Sequence, residues 1–185
     1  DDEIWATVFK LENPPELEIK MDSGPIIFQQ PYSILPVDTT ESVYRRVFSM
    51  SSQIVVNAIN TIDNLPLKDQ DHSKATFCRF LTKEDGFIEW KTLEKVISGK
   101  RIAESELPKI QQESLATNSV SVKSVLDPLK SVYNFHRAMT PWPGVWTLRQ
   151  AQGKQLRMKI LKCHLEEEKL VLDEVQFEGK NPVRF

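Results

Sequence analysis

The run Pro141-Trp142-Pro143-Gly144 separates two different patterns of hydrophobic residues. A helix cannot continue through it, because proline lacks the backbone N–H and its ring clashes with the preceding turn. Upstream, Asp127–Met139 predicts a helix whose first turn holds Pro128, where the missing N–H is harmless. Downstream, apolar and polar residues alternate as they do in strands. The run therefore predicts a rigid corner between a helix and a sheet.

Three segments after this corner predict strands: Val145–Arg149, Gln155–Cys163 and Lys169–Phe177. In the middle segment one face is apolar, and the other is mostly cationic through Arg157 and Lys159, then Lys162. One apolar and one polar face are typical of a sheet that packs on a core with only one side. We expect a small antiparallel sheet or barrel with a basic outer face.

Charge is distributed unevenly along the chain. The formal net charge is -2, yet residues 1–40 hold eight acidic side chains against two basic ones. Such segregation makes the basic segment a candidate contact for a polyanion, although charge alone favours an ordinary solvated strand face. The cations of residues 145–164, a stretch with no acidic residue, are Arg149, Lys154, Arg157, Lys159 and Lys162.

The N-terminal part predicts strand, strand and helix. Ile4–Leu11 and Pro25–Leu35 are rich in residues that favour strands, and prolines separate them. Asp38 with Glu41 predicts a capped helix start, and the helix is expected to reach about Asn60. One apolar face of that helix is predicted to contain Val43, Val47, Met50 and Ile54.

The middle of the chain is more polar. Asp63–Lys74 predicts a linker. After it we expect a short strand over Ala75–Leu81, a turn at Lys83–Gly86 and a short helix over Glu104–Ala116. The run Asn118–Ser124 is expected to be mobile.

Several classes of protein are disfavoured. No run approaches the roughly 18 apolar residues of a membrane-spanning helix, and the first twenty residues lack the pattern of a secretory signal. The two cysteines, Cys78 and Cys163, favour a reducing, cytosolic compartment. Three separated histidines make a metal site improbable, and the phosphate-loop, dinucleotide and hydrolase motifs do not occur.

Two segments leave alternatives open. Asp22-Ser23-Gly24-Pro25 could hold a carboxylate at the mouth of a sheet, but residues alone favour an Asx-turn. Trp142 is expected in core or interdomain packing rather than as a platform for base stacking. Arg137, at a helix end, could neutralise the helix dipole or face a phosphate.

The chain resembles the methionyl-tRNA formyltransferase family in five places that occur in the family's order. The MDSGPIIFQQ run, with DTTESVYRRVF after it, looks like the aspartate strand and closing helix of the formyltransferase domain. The other four runs are ATFCRFLTKEDGFIEW, FHRAMTPWPGVWT, GKQLRMKILKC and VQFEGKNPV.

The resemblance implies an α/β plus β fold: a C-terminal remnant of a Rossmann-like formyltransferase domain, then a small OB-like β-barrel domain. It assigns residues 1–64 to the first, 65–74 to a linker and 75–185 to the second, with an insertion at about 95–124. The family's Asn and His, the latter in an HPSLLP-type motif, have no match here. The chain is therefore expected to be the C-terminal part of a longer enzyme and inactive alone.

The chemistry that the resemblance implies is formyl transfer from 10-formyltetrahydrofolate to the amino group of methionyl-initiator tRNA in translation initiation. Asp22 matches the family's catalytic aspartate, and no metal is implied. We expect a cytoplasmic monomer without membrane association. The residues expected to bind tRNA are Arg137, Arg149, Lys154, Arg157, Lys159, Lys162 and, beside Gly179, Lys180.

Two other functions remain open. A sugar-nucleotide formyltransferase of the same superfamily would share the aspartate and the folate donor, although it would not need a basic strand. A noncatalytic module that binds tRNA or another RNA would explain the missing catalytic residues.

Overall fold

The computed structural model describes residues 3–11, 22–64, 66–117, 127–151 and 153–185. The chain divides into two compact units, Asp1–Arg79 and Phe80–Phe185. The predicted linker, residues 65–74, falls within the first unit, where Lys68 exchanges two backbone hydrogen bonds with Ile26. The proposed assignment of domains to residues 1–64 and 75–185 stays a prediction.

The first unit contains a two-stranded antiparallel sheet and a long helix. Strand β1 spans Glu3–Phe9, strand β2 spans Ile26–Ser33, and helix α1 spans Thr40–Thr61. Pro31 lies inside β2 opposite Trp5. Among the described residues this sheet has two strands, so both are edge strands, which is where a proline is tolerated.

The start of α1 differs from the prediction by one residue. Thr39, not Asp38, caps the helix, and its hydroxyl accepts from the Ser42 backbone N–H while the Ser42 hydroxyl accepts from the Thr39 N–H. Asp38 is buried just before the cap and accepts two hydrogen bonds from Arg46, at 2.6 and 2.9 Å. The local sequence signal was correct, but an ion pair occupies the carboxylate that was expected to cap.

Helix α1 carries apolar residues on more than one side. Val43, Val47 and Ile54 are half-buried, as expected of the inner face, but Met50 is 52% exposed. Tyr44 and Phe48 are also exposed, and their rings stack with centroids 5.8 Å apart. The inner face is therefore narrower than the predicted one.

The second unit combines helices with a four-stranded antiparallel sheet. Its helices are α2 (Trp90–Ile97), α3 (Lys109–Thr117) and α4 (Pro128–Met139). Its strands, in their order across the sheet, are β3 (Val145–Ala151), β4 (Lys154–Glu166), β5 (Lys169–Phe177) and β6 (Val183–Arg184). Single 3-10 turns span Ile62–Asn64 and His72–Lys74 in the first unit, and Lys83–Gly86 and Glu104–Glu106 in the second.

The core of the second unit lies between its helices and one face of the sheet. Leu93 and Val96 of α2, together with Phe135 of α4, pack on Met158 and Val175 of the strands, and each of these side chains is at most 2% exposed. The mixed α and β fold and the small antiparallel sheet are confirmed. Closure of the sheet into an OB-like barrel stays a prediction.

At one irregularity in the pairing of β4 and β5, the residues that face the core change, toward the hairpin turn, from even to odd numbers in β4 and from odd to even numbers in β5. Ile160 lies opposite Val175, and Lys162 lies opposite Glu174, so Leu161 is an extra residue in β4. Beyond Lys162 the extra residue is in β5, at Asp173, and regular pairing then resumes. After this double shift Cys163 and Leu165 pack against the core, while Lys162 and His164 are exposed.

Other sequence predictions were wrong. Ala75–Leu81 forms no strand, and the expected helix over Glu104–Ala116 is divided into a single turn and α3, with Pro108 between them. Helix α2 was not predicted, although it contributes Leu93 to the core. The run Asn118–Ser124 lies outside the described residues.

The helices of the described residues include none whose length and apolarity would allow it to cross a membrane.

Candidate nucleic-acid interface

The predicted corner after α4 packs against the Lys83–Gly86 turn. Gly144 closes the corner by donating its backbone N–H to the Met139 carbonyl at 2.8 Å, and its φ of 76° favours glycine. Gly86 is buried so closely against Gly144 that a β-carbon there would overlap the Gly144 carbonyl oxygen. Thr82 and Asp85 hold the turn through a hydrogen bond of 2.6 Å from the Thr82 N–H to the Asp85 carboxylate. Two glycines thus set the distance between turn and corner.

Trp146 of β3 is fixed between these two segments. Its indole N–H donates to the Lys83 carbonyl at 2.8 Å, and its ring lies 4.8 Å from that of Phe87. The guanidinium of Arg157 stacks on the ring, 4.1 Å from the centroid. A cation over an indole face is attracted by the ring quadrupole. Arg157 is therefore held over an aromatic ring that is itself fixed.

Beside this stack lies a cleft of about 310 Å³. Trp142, in the corner, is 53% exposed and lines the cleft. It therefore does not lie in the core of the second unit, which was one of the two positions expected for it. Glu178, which also lines the cleft, is tied to Arg157 by a backbone hydrogen bond of 3.0 Å. The other polar side chains that line the cleft are Lys83, Lys159 and Gln176.

The Nε atom of Arg157 is buried and has no hydrogen-bond partner among the described residues. A buried donor without an acceptor costs about 1–3 kcal/mol relative to a satisfied one. Because Nε has almost no accessible surface, Arg157 lines the cleft through its other atoms.

The sheet divides the predicted cations between its two faces. Lys159 pairs in register with Trp146, and Arg157 with Leu148, so these two cations share the outer face. Arg149 pairs with Leu156, which puts it on the opposite face, where its guanidinium lies 4.8 Å from the Trp90 ring.

The remaining predicted cations have different surroundings. Lys154, in register with Ala151 at the start of β4, has the same parity as Met158 and so is not on the face of Arg157. Lys162 is on the outer face and forms an ion pair with Glu174 at 2.7 Å. Arg137 donates to the Asn134 side chain at 2.8 Å, and Lys180 is exposed at the turn after β5.

The structure thus brings Arg157 and Lys159 together with Lys83 at one cleft. Sequence reasoning missed Lys83, because it is more than sixty residues away in the chain. The available signal was the Lys83–Gly86 turn itself, which lies in one of the five segments that resemble the family.

Asp22, the predicted catalytic aspartate, lies on an exposed turn before β2 with a φ of 57°. Its carbonyl and that of Gly24 both accept from the Gln70 side chain, at 2.9 and 2.6 Å. Gly24 is buried against the Lys10 carbonyl so closely that a β-carbon would not fit. These contacts hold the backbone of the turn and leave the carboxylate at the surface.

Two other ionisable groups of the second unit are largely buried. Burial lowers the pKa of His136, although the backbone of Ile160 and Leu161 nearby opposes this effect. Burial, with the Asp173 charge as a smaller cause, raises the pKa of the Cys163 thiol to about 12. Among the described residues no three His, Cys, Asp or Glu side chains cluster as a metal site would require.

Comparison with known proteins locates the similarity in the segment that carries the cleft. The family model for the formyl transferase C-terminal domain matches residues 124–171. A methionyl-tRNA formyltransferase from Borreliella burgdorferi (strain ZS7) is 39% identical over 75 residues, which are 40% of this chain and 24% of that protein. One from Cereibacter sphaeroides is 20% identical over 152 residues, 82% of this chain and 37% of that protein.

The structural comparison covers more of the chain. The solved structure of methionyl-tRNA formyltransferase from Clostridium thermocellum matches with a TM-score of 0.56 and 12% sequence identity, over 95% of this chain and 56% of that one. At that identity the likeness shows a shared fold alone. The chain aligns with 24% to 37% of the length of the two curated relatives. The expected resemblance to methionyl-tRNA formyltransferases is confirmed for the C-terminal part of the chain.

Proposed function

We propose that this chain is the C-terminal portion of a methionyl-tRNA formyltransferase and that its second unit binds the tRNA. The observation that carries the proposal is the overlap between the family match and the cleft. Residues 124–171 include the corner, β3 and β4, which supply Trp142, Arg157 and Lys159 to the cleft. The family match supports formyl transfer, and the cations support a polyanionic acceptor.

The outer face of the sheet is proposed as the surface that contacts tRNA. Lysine and arginine contacts to phosphates release counterions and dominate the affinity of proteins for nucleic acids. Lys83, Arg157 and Lys159 meet at one cleft, so their charges act on the same part of a ligand. Lys162, partly neutralised by Glu174, is expected to contribute less. Arg137 and Lys180 stay proposed contacts, and Arg149 and Lys154, on the other face, are proposed to contribute least.

Asp22 is proposed as the catalytic residue of the whole enzyme. In the reaction the methionyl amine attacks the formyl carbon and loses a proton, the bond between that carbon and the folate nitrogen breaks, and the folate nitrogen gains a proton. 10-Formyltetrahydrofolate supplies the formyl group. A carboxylate within reach of the amine would orient it or accept the proton.

Salt-dependent binding to methionyl-initiator tRNA tests the proposal. The full chain is titrated against labelled tRNA by fluorescence anisotropy, and the logarithm of the affinity is plotted against that of the salt concentration. Each lost phosphate contact flattens the slope by roughly 0.7–0.9. We expect R157Q/K159Q to flatten it by about 1.5. The matched control R149Q/K154Q, which removes one arginine and one lysine from the other face, should change it by less than about 0.5.

Failure of the wild-type chain to bind tRNA at low salt would refute the proposed function. Preferential binding of a UDP-amino sugar would instead favour the sugar-nucleotide formyltransferase. Formyl transfer with an upstream-extended chain, compared with the same extended chain carrying Asp22→Asn, separates an enzyme from a noncatalytic RNA-binding module. A monomeric state in the cytoplasm belongs to the same proposal and can be checked by light scattering and cell fractionation.

A further inference from the structure

We propose that the cleft beside Arg157 is a binding site for one unpaired nucleotide of an RNA, with the phosphate at Arg157 and Lys159 and the base on Trp142. The inference rests on the proposed function only in taking RNA as the polyanion. It goes beyond a basic surface, because it assigns a stacking platform and predicts a preference for single-stranded over duplex RNA.

The phosphate position follows from the two cations that line the cleft together. The guanidinium of Arg157 is already held over the ring of Trp146, 4.1 Å from its centroid. An arginine held in place loses little freedom when it binds, and its planar fork suits phosphate oxygens. Lys159, on the same face and lining the same cleft, adds a second cation.

The base position follows from the exposure of Trp142. Half of this large aromatic side chain is open to solvent at the cleft, while Pro143 next to it is buried and fixes the corner. Aromatic side chains near cations are the usual platform for unstacked bases, and stacking is tolerant of base identity. The bases of a duplex are stacked on each other and cannot use such a platform.

Size and charge agree with a single nucleotide. The volume of about 310 Å³ lies at the lower end of the range for small-ligand sites. Glu178, at the cleft wall, is the one carboxylate among the described lining residues, and its negative charge would repel a phosphate. Because its backbone N–H, not its side chain, bonds to Arg157, the carboxylate can be neutralised without removing that contact.

The test compares an eight-nucleotide single-stranded RNA with a duplex of the same length, both at fixed salt, on the full chain. We expect W142A to weaken single-strand binding about tenfold and duplex binding less than about twofold. W142F, which keeps an aromatic ring, should recover most of the loss. R157K, which keeps the charge without the planar group, should weaken single-strand binding, and E178Q should strengthen binding of both RNAs.

Unfolding curves of each variant show whether it is folded. If W142A does not fold, the comparison of single-stranded and duplex RNA is made with W142F and R157K. Equal effects of W142A on single strand and duplex, or no effect on either, would overturn the nucleotide site. If the wild-type chain binds methionyl-tRNA and W142F and W142A bind single-stranded RNA alike, the site fails while the proposed function stands. If the wild-type chain binds neither tRNA nor single-stranded RNA, both fail.

Discussion

Gly86 lies directly against the carbonyl group of Gly144, and this contact joins the Lys83–Gly86 turn to the corner that carries Trp142. The two segments are far apart in the chain, yet each resembles the family. Lys83 and Trp142 reach the same cleft because Gly86 has no side chain, which allows the turn to approach the backbone of the corner closely.

Gly86→Ala should therefore destabilise the second unit strongly. The new methyl group would meet backbone atoms, which cannot rotate away, so we expect a loss of about 4 kcal/mol in the free energy of unfolding. Gly153→Ala is the control, because Gly153 has nothing within 4 Å and pays only for its φ of 74°, about 1 kcal/mol. Urea unfolding followed by tryptophan fluorescence measures both. Equal losses would contradict the contact.

The buried Asp38 predicts an acid-sensitive first unit. The hydrogen bonds from Arg46, assisted by the Leu35 N–H and the Ser42 hydroxyl, hold the pKa of Asp38 well below its usual range. A lowered pKa in the folded state gives stability that is complete above the unfolded pKa, near 4, and is lost as the pH falls below it.

Asp38→Asn should remove this pH dependence and cost about 2 kcal/mol at pH 7, because Arg46 loses the carboxylate and keeps only its hydrogen bond to the Ser33 carbonyl. Glu41→Gln is the matched control, since Glu41 and Arg45 form an ion pair whose side chains are 43% and 79% exposed. We expect it to change the free energy of unfolding by less than about 0.5 kcal/mol. Thermal unfolding of the first unit between pH 3 and pH 7 measures both variants. The same acid slope in Asp38→Asn as in the wild type would refute this role.

His136 predicts a second pH dependence, in the second unit. Burial lowers its pKa, so its contribution to stability is complete above the unfolded pKa, about 6.5, and is lost as the pH falls. Unfolding of the second unit, measured between pH 8 and pH 5, should show stability that decreases toward pH 5. The decrease should be smaller in His136→Gln. Parallel curves for wild type and variant would rule this out.

The two cysteines should differ in reactivity. Cys78 is exposed, whereas the pKa of Cys163 is raised to about 12, so almost none of it is thiolate at pH 8. A thiol reagent should label one cysteine per folded chain quickly. Cys78→Ser should label only after denaturant is added. Rapid labelling of folded Cys78→Ser would show that Cys163 is accessible.

Local signals predicted the elements around the corner well. The helix over Pro128–Met139 and the strand over Lys169–Phe177 have the expected positions. Their signals, which are a capping residue, prolines and alternation, lie within or directly beside each segment. Helix α2 was missed although Trp90, Leu93 and Ile97 fall at helical spacing, because eight residues are too few for the periodicity to stand out.

The site could be predicted only in part. Alternation along one strand does not say which residues of the neighbouring strand lie on the same face of the sheet. Arg149 was grouped with Arg157 by charge, but the β3–β4 register puts them on opposite faces. The contact between Lys83 and Trp146 depends on a turn far upstream. Trp142 was expected in packing, and its exposure follows from the geometry of the whole corner.

The paired irregularity in β4 and β5 also shows where these strands can change in length. Leu161 and Asp173 are extra residues, so the residues that follow each of them already face as they would in a regular strand without it. Deleting Leu161 would keep Cys163 and Leu165 on the core side and Lys162 and His164 on the exposed side. A one-residue deletion in the regular part of either strand would instead turn the residues beyond it over. The hairpin can therefore lose one residue at Leu161 or at Asp173 without exchanging its two faces.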